Sequence, residues 1–112
     1  MITDVFLLGH MRILQEAVLA SGPRFFNLHP SLLPSFPGLK SLERAFAAQA
    51  PLGCTIHKVV PEVDAGQALL QLPLGAGGRA YLETDLQMAA LALHAAESRA
   101  LRRFCRRPRG AD

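Results

Sequence analysis

Asn27 and His29 stand two residues apart, just before Pro30, where the apolar pair Phe25-Phe26 runs into a proline-rich loop ending in Pro37-Gly38. Residues alternate faces along a strand, so an amide and an imidazole at this spacing emerge on one side. The amide is a hydrogen-bond donor for a developing oxyanion, and the imidazole exchanges a proton near neutral pH. Together they would hold and charge a carbonyl group. A third polar residue, Asp64, lies in a loop that would fold back over this strand end. A carboxylate beside an imidazole raises its pKa and relays its proton through water. The trio suits transfer of an acyl-type group without a protein nucleophile. The same residues also suit structural roles: a histidine before a proline holds a loop, and Asp64-Ala65-Gly66 reads as a turn.

Other chemistries find less support. Ser31 lacks a Gly-x-Ser-x-Gly elbow, which argues against a serine hydrolase. His10, His57 and His94 have no metal spacing with a cysteine or carboxylate pair. Gly75-Ala76-Gly77-Gly78 does not sit between a strand and a tight helix start, so it reads as a loop rather than a phosphate cradle. Cys54 and Cys105 are far apart without a ligand spacing and read as two reduced thiols of a cytoplasmic chain.

The elements that must position these residues follow from pattern. Asp4-Val5-Phe6-Leu7-Leu8-Gly9 is a continuous apolar run ending in glycine, as in a buried parallel strand. Residues 12–20 predict a helix with Ile13, Leu14, Ala17 and Val18 on one face, stopped by Gly22-Pro23. Residues 25–29 predict a second strand, which Pro30 and Pro34 end. A helix over about 40–49 would turn Leu42, Ala45 and Phe46 inward. Residues 53–60 predict a strand with Cys54, Ile56 and Lys58 on one face and Thr55, His57 and Val59 on the other. Another follows over 68–74, with Leu70 and Leu72 opposed to Leu69 and Gln71. The polar loop 61–66 between them carries Glu62 and Asp64. Thr84-Asp85-Leu86-Gln87 has the capping-box arrangement and opens a helix to about Phe104, with a stripe of Leu86, Ala90, Leu93, Ala100, Leu101 and Phe104. Strand–helix–strand–helix order implies an α/β sheet with parallel neighbours, then a hairpin and a terminal helix.

Length and charge bound the rest. The 112 residues suit one domain, half of them hydrophobic, and no apolar run approaches the roughly 20 residues of a membrane-spanning helix. The opening residues show no secretory pattern. The net charge of +3 belongs to the tail: residues 99–112 hold six arginines and one aspartate, whereas residues 1–98 hold six basic and eight acidic side chains. That tail reads as cations complementing a helix dipole and then solvated chain, rather than as a nucleic-acid contact.

Residues 4–104 resemble the carboxyl-terminal part of the glycinamide ribonucleotide formyltransferases, within the formyltransferase superfamily. The resemblance rests on Asp4 through Leu14, on Asn27 through Gly38, on Gly53-Cys54-Thr55-Ile56-His57 and on Val63-Asp64-Ala65-Gly66. Phe36-Pro37-Gly38 favours this branch over the methionyl-tRNA enzymes, which usually have an arginine before that glycine. The resemblance implies 10-formyltetrahydrofolate as formyl donor in purine synthesis. It implies that Asn27 and His29 polarise the formyl oxygen and handle the proton, with Asp64 supporting His29. It also implies that Met11, Arg12, Ile13 and Leu14 line the pterin pocket, and that Val60, Pro61, Glu62 and Val63 belong to the loop closing it.

The departures shape the remaining expectations. The family opens with a strand and a Gly/Ser-rich phosphate loop that this sequence does not contain. The expected fold is therefore a truncated, Rossmann-type α/β formyltransferase sheet with flanking helices, lacking the amino-terminal phosphate-loop half. Residues 1–104 would form a partial formyltransferase domain and 105–112 a disordered basic tail. His10 replaces an aromatic before Met11-Arg12, and Leu93 replaces the glutamate of a Glu-His pair completed here by His94. Three activities remain open: formyl transfer to a glycinamide ribonucleotide-type amine, a non-catalytic folate-binding or oligomerisation module, and hydrolysis of the formyl donor. The strand from Val5 to Leu8 would expose an apolar edge, which implies a homo-oligomer or a separate chain supplying the missing half.

Overall fold

The computed structural model describes residues 4–8, 24–60 and 66–107. Four strands form one sheet in sequence order: β1 (Asp4–Leu8), β2 (Arg24–His29), β3 (Gly53–Lys58) and β4 (Ala68–Pro73). Among the described residues two helices accompany them, α1 (Ser41–Ala47) and α2 (Leu86–Cys105), with one 3-10 turn at Ala76–Gly78. The class is α/β, and the strands and the helices over 40–49 and 86–104 fall where the sequence pattern puts them. The helix expected over 12–20 lies outside the described residues.

β1 and β2 run parallel, with Asp4 opposite Arg24 and Leu8 opposite Leu28. β2 and β3 are antiparallel although a helix separates them. The reason is the path of the connection: residues 30–52 return to the end of the sheet that β2 has just left, so His29 pairs with Thr55 near the start of β3. β3 and β4 form the expected hairpin, with a register shift between Ile56 and His57. Beyond it, Val59 N–H donates to Phe25 O at 2.9 Å, extending the β2 contact past the end of β3.

One face of the sheet is closed by α2. Phe26, Leu28, Cys54 and Ile56 point to it and join Ala89, Leu93, Ala96, Ala100 and Phe104 in the core. That stripe differs from the expected one. Leu86 is exposed, Ala90 and Leu101 are only partly buried, and Ala89 and Ala96 take the central places. Three alanines in the contact line let the helix axis approach the sheet closely, which a leucine stripe would prevent. Phe104 then reaches Phe26 edge to face, with ring centroids 5.0 Å apart. An aromatic pair of this kind contributes about 0.5–1.5 kcal/mol beyond its buried area.

The helix ends also correct the sequence reading. Asp85, not Thr84, is the N-cap of α2: its carboxylate accepts from Met88 N–H at 2.8 Å. Thr84 Oγ1 instead donates to Tyr81 O at 2.7 Å, so the reciprocal capping box does not form. At the other end, Arg107 lays its guanidinium 3.4 Å from the Phe104 ring centroid and donates to Phe104 O at 3.0 Å. Part of the arginine-rich segment thus closes the core end of α2, and residues 108–112 lie outside the described residues. Both cysteines are free, Cys54 buried and Cys105 exposed. No helix among the described residues is long and apolar enough to cross a membrane.

Candidate functional site

The face of the sheet opposite α2 carries the polar residues of β2 and β3. Alternation brings Asn27 and His29 out together on β2, as expected, and the antiparallel register sets them opposite His57 and Thr55. All four are buried. Buried polar groups are nearly always hydrogen-bonded, so their partners and any exception define what the site can do.

Thr55 ties the strand to the loop that follows β2. Its hydroxyl donates to Ser31 O at 2.7 Å and accepts from Leu33 N–H at 3.0 Å and from Gln71 Nε2 at 2.9 Å. Gln71 Nε2 also donates to Leu33 O at 2.7 Å. One donor and two lone pairs are thereby used, and the hydroxyl is saturated. Residues 31–33 are pinned to β3 and β4 by side chains that sit on no motif. The far part of the loop is held by Arg44 of α1, whose Nε donates to Leu39 O at 2.9 Å and whose Nη2 donates to Pro37 O.

His29 belongs to this same scaffold. It is 1% exposed, and its Nε2 lies 2.9 Å from Phe36 O. A carbonyl only accepts, so the ring carries a proton on Nε2 and donates it to the loop. Ser31 Oγ approaches the same carbonyl at 3.2 Å. Asn27 turns to the neighbouring strand: its Nδ2 is 3.3 Å from His57 Nε2, and its Oδ1, also buried, has no hydrogen-bond partner among the described residues.

Asp64 lies outside the described residues, as do Met11, Arg12, Ile13, Leu14, Pro61, Glu62 and Val63. Val60 is described, half-buried just beyond β3. The far end of the Asp64 loop is fixed by a close approach: a Cβ on Gly66 would overlap Lys58 O at 1.5 Å and lie 3.5 Å from His57 Nδ1. Both ends of the loop therefore stand at the end of β3 that carries His57. The sequence reading weighed His57 only as a metal ligand. Its place opposite Asn27 needs the β2–β3 register, which residue types do not disclose. Among the described residues no cluster of three or more metal-ligating side chains exists.

A cavity of about 810 Å³ lies on the other side of the sheet, between the end of β2, α1 and α2. Leu28, Leu42, Leu86, Leu93 and Leu101 line it, with Glu97 and His94. Burial pushes the Glu97 carboxyl up from its ordinary range, against the opposing pull of His94. Burial, helped by the Glu97 charge, also pushes the Cys54 thiol up to about 11, leaving it protonated and unreactive at neutral pH. Leu93, where a glutamate was expected from the resemblance, is buried in this apolar wall.

The family model described as formyl transferase matches residues 3–100. The phosphoribosylglycinamide formyltransferase of Bacillus subtilis is 37% identical over 82 residues, covering 71% of this chain and 42% of that protein. The trifunctional purine biosynthetic protein adenosine-3 of Bos taurus is 40% identical over 101 residues, 82% of this chain and 9% of that protein. The crystal structure of phosphoribosylglycinamide formyltransferase from Bacillus halodurans superposes with a TM-score of 0.74 at 35% identity, over 86% of this chain and 48% of that one. The chain thus spans under half the length of these relatives.

Proposed function

The chain belongs to the formyl transferase family, and from that premise we propose that it carries the formyl-handling part of a folate-dependent transfer to an amine. The donor is 10-formyltetrahydrofolate and the acceptor a glycinamide ribonucleotide-type amine, in purine synthesis. The observation that carries the reading is the buried Asn27 amide at the end of β2, anchored by His57 and followed at once by His29 on the same face. In the transfer, the amine nitrogen bonds to the formyl carbon and the bond from that carbon to the folate nitrogen breaks. The amine proton ends on the departing folate nitrogen. An amide N–H of Asn27 stabilises the oxyanion formed between these two events, and His29 with Asp64 moves the proton.

A second reading, a folate-binding module without turnover, is favoured by one observation. His29 is closed from solvent and its Nε2 proton is already given to Phe36 O.

Incubating the protein with 10-formyltetrahydrofolate, with and without glycinamide ribonucleotide, separates the readings when folate binding and loss of the formyl group are both followed. Amine-dependent turnover is expected. Saturable binding without turnover assigns the module, and turnover indifferent to the amine assigns a hydrolase. Absence of binding overturns all three.

A further inference from the structure

His57 and Asn27 form a pair whose hydrogen-bonding sense is fixed by a third group. Lys58 O lies 3.1 Å from His57 Nδ1. Because that carbonyl only accepts, the His57 proton sits on Nδ1, and in the neutral ring Nε2 is left as a bare lone pair. The two ends of a carboxamide are nearly interchangeable in shape, so the partner decides which one faces it. A lone pair selects the NH₂ end, and Asn27 Nδ2 is the atom found 3.3 Å from Nε2. The opposite orientation would set two acceptors against each other.

The consequence appears at the other end of the amide. Oδ1 is buried, with no hydrogen-bond partner among the described residues, in a side chain only 5% exposed. Such an orphan is costly and is rare in native proteins outside functional sites. We propose that His57 is a positioning residue for Asn27: it holds the amide so that Oδ1 faces the ligand as an acceptor for an N–H group, while the second Nδ2 proton stays available to an oxygen. A formyl group meeting an amine offers that combination, an oxygen that accepts and a nitrogen that donates. On the formyl-transfer reading, on which this ligand assignment rests, Asn27 Oδ1 takes a proton contact from the attacking amine and Nδ2 takes the formyl oxygen. One side chain thereby orients both reactants.

The pair is tested first without activity. Long-range nitrogen–proton correlation spectra of the intact protein at neutral pH should show His57 protonated on Nδ1 and bare on Nε2, with contacts to the Asn27 side-chain amide. A ring protonated on Nε2 alone overturns the proposal. Kinetics then compare His57→Phe, which keeps the bulk and loses the acceptor, with His57→Gln, whose amide oxygen can replace it. Thermal melts of both variants are recorded alongside. His57→Phe should lower kcat about 10–100-fold with the donor KM within about threefold, the size expected for a misplaced catalytic group. His57→Gln should recover most of the loss. Equal kcat for the wild-type protein and His57→Phe, or no recovery in a folded His57→Gln, overturns it. A wild-type protein without turnover would defeat the formyl-transfer reading instead, and the spectra alone would then decide the His57–Asn27 pair.

Discussion

His29 holds the loop through Phe36 O and, on the proposed reading, also moves a proton, and one substitution separates the two roles. Its Nε2–H is given to Phe36 O, which the Ser31 hydroxyl only approaches at 3.2 Å while donating to Ser35 O at 2.6 Å. His29→Ala therefore removes the main donor to that carbonyl together with a fully buried ring, and should cost about 2–4 kcal/mol of stability, the range for a large buried side chain cut to alanine. A residue moving a proton at the transfer step contributes about 10²–10⁴-fold in rate. The variant should stay folded, bind the folate donor within a few-fold of wild type, and lose at least about 100-fold in kcat. Calorimetric unfolding and steady-state kinetics check both halves. Equal losses in donor affinity and turnover would mean that His29 chiefly shapes the loop.

At the scale of elements, α2 and the loop after β3 make separate predictions. Glu97 sits on α2 against the cavity with its carboxyl pushed up by burial. A carboxyl with a raised folded pKa binds its proton more tightly in the folded state, so stability falls as pH rises through the ordinary glutamate range and stays lower above it. Glu97→Gln should therefore melt at a higher temperature than wild type at pH 8. The advantage should vanish below about pH 4, where glutamate is protonated in both states. A difference independent of pH would place its cause in packing. Gly66 faces the opposite constraint, since any side chain there meets the backbone oxygen of Lys58. Gly66→Ala must push the loop off β3 beside His57, so it should weaken donor binding and lower the melting temperature together. Wild-type values for both would remove the close approach.

The same elements show what could be read from residues alone. Alternation sufficed to put Asn27 and His29 on one face, and the apolar runs placed all four strands, because burial on a pleated sheet has a period of two. The α2 stripe was legible at Leu93, Ala100 and Phe104, which are buried as expected, but not at Ala89 and Ala96, where the sheet takes small residues in place of Leu86, Ala90 and Leu101. The Asn27–His57 pair and the Thr55–Gln71 tie to the loop stayed hidden for another reason. They depend on cross-strand register, set by the path of residues 30–52 and by a shift between Ile56 and His57. No local propensity encodes that path.

Across the whole molecule, the sheet ends at β1, beyond which no further strand stands among the described residues. After Asp4 its sequence, Val-Phe-Leu-Leu, is the unbroken apolar kind found in strands covered on both faces rather than the alternating kind of a solvated strand. An apolar strand at a sheet edge favours adding another strand over solvation. At this scale β1 is expected to pair with a second copy of this chain. Light scattering coupled to size exclusion at micromolar concentration should return a dimer or larger species for the isolated protein. A monomer there would overturn this and leave β1 as a tolerated edge. If the assembly forms, hydrogen exchange should slow at the β1 amides and leave α2 unchanged, because α2 packs on β3 and β4. Protection appearing on α2 instead would move the interface to the cavity face.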